Sequence, residues 1–148
     1  MYKTILVPLD GSKRAEAILP HVENLAQLCD ARVIFLEVVE LVHVDMGPDG
    51  MSPVLDAQIV EQEMHLADSY LSALQDEFRK RGIEARKRVA YGSVVGQIMN
   101  VAKQEEADLI AMASHGRTGL SRVFYGSVAA GVLHSVDRPL LLVRSVGD

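Results

Sequence analysis

Three glycines, Gly116, Gly119 and Gly126, punctuate the stretch Ala113-Ser114-His115-Gly116-Arg117-Thr118-Gly119-Leu120-Ser121-Arg122-Val123-Phe124-Tyr125-Gly126-Ser127. An apolar run, Leu109-Ile110-Ala111-Met112, precedes it, and Val128-Ala129-Ala130-Gly131-Val132-Leu133 follows. The pattern is that of a loop between a buried strand and a helix. Glycine admits positive φ and lets a ligand approach main-chain N–H groups without a Cβ in the way. Successive N–H groups in such a turn form a concave nest, and the first turn of the next helix adds unpaired donors and the positive end of its dipole. Ser127 stands where a hydroxyl donates to a phosphate oxygen, while Arg117 and Arg122 supply charge. The chemistry expected is anion binding, with phosphate the anion.

A second polar turn, Asp10-Gly11-Ser12, follows the apolar segment Thr4–Leu9. Asp10 either caps the helix that follows or meets a ligand. A carboxylate repels a polyphosphate, so a ligand-binding Asp10 implies contact with a ribose or with a bound Mg2+ that reverses the sign of the interaction. Other candidates carry less. Ser114 and His115 are chain neighbours whose side chains do not aim at each other, no partnering acid is evident, and Gly-x-Ser-x-Gly is absent, so a Ser-His hydrolase is not indicated. His43 and Asp45 supply two metal-type ligands on a Gly- and Pro-containing loop, too few for a site. The single cysteine, Cys29, excludes an internal disulfide and falls on the apolar face of a predicted helix.

The elements that must position these groups are legible in the hydropathic periodicity. Thr4–Leu9 is apolar almost throughout, as expected of a parallel strand covered on both faces, and Pro8 is expected near its end because proline cannot donate a ladder hydrogen bond. A helix to about Leu28 carries Ile18, Val22, Leu25, Ala26 and Cys29 on one stripe. Arg32–Val39 is the second strand, and Glu40 to about Pro53 a loop. Residues from about Leu55 to Arg81 form a long helix with Leu66, Tyr70, Leu74 and Phe78 as its buried stripe, ended by Gly82. Ile83–Ala90 alternates as an edge strand does, with Lys87 and Arg88 protecting the edge. Ser93 is the N-cap of a helix over Val94–Gln104. A strand over Asp108–Ala113, a helix over Ser127–Ser135 and a strand over Pro139–Arg144 complete the chain.

This alternation predicts an α/β fold, a doubly wound five-stranded parallel sheet of order 3-2-1-4-5 with helices on both faces. A crevice is expected where the order reverses, between strands one and four. Asp10 and Ala113, at the ends of those strands, flank it.

Length and composition set the bounds. The 148 residues fit one domain, residues 1–148, with a substantial core. A net charge of -5 disfavours a general nucleic-acid-binding surface, whose affinity comes from cations meeting phosphates. No apolar run approaches the roughly 18 residues of a membrane span. Met1-Tyr2-Lys3-Thr4 leads directly into a strand, without a secretory signal pattern, so a cytoplasmic location is expected. Leu140-Leu141-Leu142-Val143 is apolar on both faces yet falls at a predicted sheet edge; pairing with the same strand of a second copy removes that liability, so a homodimer through strand 139–144 is expected.

From Ala113 to Ser127 the chain resembles the nucleotide-binding pattern of the universal stress protein family, G-x2-G-x9-G-[ST]. Gly116, Gly126 and Ser127 match its last three fixed positions, and Ala113 replaces the first glycine. Ile5-Leu6-Val7-Pro8-Leu9-Asp10-Gly11-Ser12 is similar to the family's first strand and turn, and Arg138-Pro139-Leu140-Leu141-Leu142-Val143 to its last strand. The resemblance implies a dimeric, ATP-binding regulatory or stress-response protein, with AMP or ADP as other occupants and Mg2+ carried by the nucleotide. It implies a site of Pro8, Asp10, Val38, Met112, Ala113, Gly116, Arg117, Gly126, Ser127 and Val128. Asp10 lies near ribose and metal in this reading, and Val38 offers main-chain groups to adenine. The Ala113 methyl implies weakened ATP binding. Hydrolysis is expected to be slow or absent, since no base is placed to activate water, and the partner that reads the bound state is an unidentified regulatory protein. The competing reading is a nucleotide-free dimeric scaffold in which Ala113 marks a lost pocket.

Overall fold

The computed structural model describes residues 1–40, 53–115 and 126–145. β1 (Thr4–Leu9) is buried at every position. A 3-10 turn (Ala15–Ile18) leads into α1 (Leu19–Cys29), which starts where Pro20 can occupy the first turn of a helix without losing a hydrogen bond. The expected single helix after the Asp10 turn is therefore two pieces. β2 (Arg32–Glu40), α2 (Pro53–Lys80), β3 (Ala85–Gly92), α3 (Val94–Gln104), β4 (Leu109–His115), α4 (Ser127–Ser135) and β5 (Leu140–Ser145) follow. The sheet is parallel, with order β3-β2-β1-β4-β5 as its topology requires. The loop expected from Glu40 to Pro53, with His43 and Asp45, lies outside the described residues apart from its ends, which belong to β2 and α2.

Two cores sandwich the sheet. On one face Ile18, Val22 and Ala26 join Leu71, Leu74 and Phe78 of α2 against Ile5, Val7, Val33 and Phe35, and half-buried Cys29 packs at the margin. Phe35 and Phe78 meet edge to face, with centroids 4.9 Å apart and planes at 88°. On the other face Ile98, Val101 and Ala102 of α3 and Ala129 and Val132 of α4 cover Leu6, Ile34, Leu36, Ile110 and Met112.

The α2 stripe differs from the expected one. Leu66 is 67% exposed, and Ala67, Leu71, Leu74 and Phe78 are buried. A helix turns about 100° per residue, so steps of four drift about 40° each and carry Leu66 some 120° away from Phe78. Mixed steps of four and three stay on the sheet. At the edge, Lys87 and Arg88 do more than guard β3. Lys87 reaches Asp68 and Ser72 of α2 at 3.0 and 2.6 Å, while Arg88 reaches Gln104 and Glu105 at 2.9 and 3.3 Å across the opposite face. Ser93 occupies the N-cap of α3 as expected, but through its carbonyl, which accepts the Gln97 N–H at 2.9 Å; its side chain makes no capping bond.

Candidate functional site

The opening in the sheet has a backbone cause. Thr4 directs its carbonyl to the Asp108 N–H at 3.0 Å and its own N–H to the Asp108 carboxylate at 3.0 Å, whereas the Lys3 carbonyl accepts the Arg32 N–H at 2.9 Å. Main-chain groups alternate sides along a strand, so Leu6 and Pro8 face β4 and Val7 and Leu9 face β2. Pro8 has no N–H to give on that side. The β1–β2 ladder runs all the way from Thr4 to Leu9, but among the described residues the β1–β4 ladder holds only Ile5–Leu109 and Leu6–Ile110. Past Leu6 the two central strands are no longer paired, and the crevice begins there.

A cavity of about 220 Å³ fills it. Pro8, Leu9 and Asp10 line it from the end of β1, Ala15 from the 3-10 turn, Leu36, Val38 and Glu40 from β2, Val94 and Ile98 from α3, Met112 and Ala113 from β4, and Val128 and Ala129 from α4. Six of the residues expected at the site, Pro8, Asp10, Val38, Met112, Ala113 and Val128, thus share one cavity. Gly126 and Ser127 stand just beyond its wall, at the N-cap and first residue of α4. Gly116 and Arg117, like Gly119 and Arg122, lie outside the described residues. A larger open groove of about 880 Å³ runs between α2 and β3, lined by Val60, Met64, Val89 and Tyr91 among others, and Asp10 is not part of its lining.

The main chain at Val38 follows the same alternation. Arg32 turns its N–H to β1 and Val33 turns its own to the Glu84 carbonyl at 2.9 Å, so Val38 faces the β1 side. β1 ends opposite Glu37, and the Val38 carbonyl looks past that end toward the cavity. Gly126 has φ 78° and ψ 155°, a region essentially restricted to glycine, and its carbonyl accepts the Ala130 N–H at 3.0 Å to start α4. The turn after β1 is held by Asp10, whose carboxylate accepts both the N–H of Ser12, at 2.9 Å, and its hydroxyl; Ser12 Oγ in turn accepts the Ala15 N–H at 3.2 Å.

β4 runs two residues further than expected and starts one later. Ser114 pairs with Arg144 and His115 with Ser145, so the loop expected from the sequence cannot open at Ala113. Ser114 is 1% exposed and its hydroxyl has no hydrogen-bond partner among the described residues. It is a buried strand residue, which removes it as a nucleophile. Glu37 was not singled out by sequence, although a charge inside Leu36-Glu37-Val38 is the signal that could have found it. Burial first, then the neighbouring Asp10 and Glu63 carboxylates, push its carboxyl above the ordinary range. Glu40, Val94 and Ile98 were also missed; their place on the cavity wall depends on packing between elements distant in sequence. Among the described residues no group of three or more His, Cys, Asp or Glu is arranged to hold a metal ion.

Residues 1–144 match the family model described as the universal stress protein family. The chain belongs to this family. Universal stress protein MJ0531 of Methanocaldococcus jannaschii is 30% identical over 144 residues, 97% of this chain and 83% of that protein. A solved structure of MJ0577, a universal stress protein of the same organism, superposes with a TM-score of 0.84 at 27% identity, covering 100% of this chain and 99% of that one. The universal stress protein of Archaeoglobus fulgidus, solved in complex with dAMP, shares the fold with a TM-score of 0.59 at 21% identity, over 96% and 98% of the two chains. Family nucleotide complexes therefore exist on this architecture.

Proposed function

We propose that this universal stress protein binds an adenine nucleotide, ATP with AMP or ADP as alternatives, in the cavity at the strand-order reversal, and that occupancy rather than turnover carries its regulatory role. The single observation that carries the reading is the convergence of Pro8, Asp10, Val38, Met112, Ala113 and Val128 on one cavity from four separate elements. Apolar walls from Leu36, Val38, Ile98 and Val128 suit the faces of a purine, and the Val38 main chain suits its polar edge. At about 220 Å³ the described walls are smaller than the ~300–1,000 Å³ that encloses a whole drug-sized ligand, which fits a nucleoside inside and phosphates outside. Gly126, Ser127 and the first turn of α4, with Gly116 and Arg117, are the groups for those phosphates. Asp10 and Glu40 supply carboxylate oxygens at the mouth, a donor set that fits the hard Mg2+ ion carried by a nucleotide. A relative of this fold solved with dAMP supports the ligand class.

The protein acts as a homodimer in this proposal. β5 lies at the sheet edge with Leu140, Leu141, Leu142 and Val143 all only half-buried, and antiparallel pairing with a second β5 covers them. A monomeric sedimentation coefficient at micromolar concentration overturns this part alone. Calorimetric titration with Mg-ATP, together with mass spectrometry for co-purified nucleotide, tests the binding claim. Saturable heat at or below millimolar ligand is expected; no heat and no retained nucleotide would leave a scaffold of the same fold.

A further inference from the structure

We infer that Gly131 and Val95 form a size-matched contact between α4 and α3 that sets the width of the cavity, which makes Gly131 a positioning residue for the ligand, resting on the nucleotide reading above. The two helices supply facing parts of the wall, Val94 and Ile98 from α3 and Val128 and Ala129 from α4. Val95 is the chain neighbour of Val94, and Gly131 sits three residues, almost one turn, beyond Val128.

A Cβ at position 131 would stand 2.6 Å from Val95 Cγ2 and 3.6 Å from both Val95 Cβ and Cγ1. Two carbons sit best about 3.5–4.0 Å apart, so the collision is with that one methyl and is about 1 Å deep. No backbone reason asks for glycine here. Gly131 is inside a helix and is absent from the residues with positive φ, and glycine weakens a helix interior relative to alanine. Close approach is the remaining reason. Valine in a helix has one strongly preferred rotamer, so its methyl cannot swing aside cheaply, and the helices must separate instead. Ile98, Val101, Ala102, Ala129 and Val132 belong to one close-packed cluster, so a separation at 131 reaches the cavity wall.

The test compares wild type, Gly131→Ala, Val95→Ala and the double variant by Mg-ATP titration, thermal denaturation and methyl NMR of Val94, Ile98, Met112 and Val128. Gly131→Ala is expected to weaken Mg-ATP binding roughly tenfold and shift the cavity methyl resonances. The double variant is expected to return both readouts most of the way to wild type. A lowered thermal midpoint with wild-type affinity and unshifted methyls overturns the inference, as does a double variant that recovers neither. Should Gly131→Ala fail to fold, recovery of a folded, binding-competent double variant supports the size match and its failure overturns it. If wild type takes up no Mg-ATP, the nucleotide reading falls while the methyl resonances still decide the spacing claim.

Discussion

The Asp10 carboxylate accepts the main-chain N–H of Ser12 at 2.9 Å, so the acid that faces the cavity also builds the turn that presents it. The two roles separate by substitution. Asparagine keeps an acceptor oxygen in the same place and removes the charge; alanine removes both. Asp10→Asn is expected to hold stability to within about 0.5 kcal/mol while abolishing the Mg2+ dependence of nucleotide binding. Asp10→Ala is expected to lose about 1 kcal/mol as well, since the turn loses its acceptor. Urea denaturation and calorimetry with and without Mg2+ read the two effects.

Gly126 holds φ 78° and ψ 155° at the start of α4. An L-residue there costs about 1–3 kcal/mol or forces the first turn to move. Gly126→Ala should therefore lower stability by that amount in chemical denaturation and weaken nucleotide binding, because the same turn ends at Val128 and Ala129 in the cavity wall.

Ala113 lines the cavity from β4, paired with Val143, and in the proposed complex its methyl is the group that would crowd the ligand. Removing the methyl moves two quantities in opposite directions. Ala113→Gly is expected to tighten Mg-ATP binding while costing about 0.5–1 kcal/mol of stability, the penalty of glycine within a strand. Equal loss of both, measured by titration and by urea midpoint, would show that the methyl is not the obstacle.

Glu37 Oε1 is buried without a hydrogen-bond partner among the described residues, and burial, Asp10 and Glu63 hold its pKa above the ordinary 4.5. A carboxyl whose folded-state pKa is raised contributes stability that is fully present below its ordinary value and lost as pH rises through the raised one. Glu37→Gln keeps a neutral group of the same shape at every pH. Its thermal midpoint should exceed that of wild type at pH 7 to 8, with the gap narrowing as pH falls toward 4.5. A gap that is constant across this range, or of the opposite sign at neutral pH, would contradict the assignment.

Amino-acid order alone determined the alternation of strands and helices, the parallel sheet order and the polar turn at Asp10, because each is written in local terms: an apolar run, a stripe, a proline, a Gly-containing turn. Pro8 is the clearest case, since a missing N–H is a property of the residue. Tertiary structure decided what periodicity left open. Which residues of α2 are buried depended on how a drifting stripe met the sheet, so Ala67 replaced Leu66. How far β4 ran depended on β5 offering Arg144 and Ser145 as partners for Ser114 and His115. Glu37, Glu40, Val94 and Ile98 joined the neighbourhood of Asp10 only because the sheet and α3 brought them there. A wall built from several elements is a sum of long-range distances, and those are set by packing rather than by any one segment.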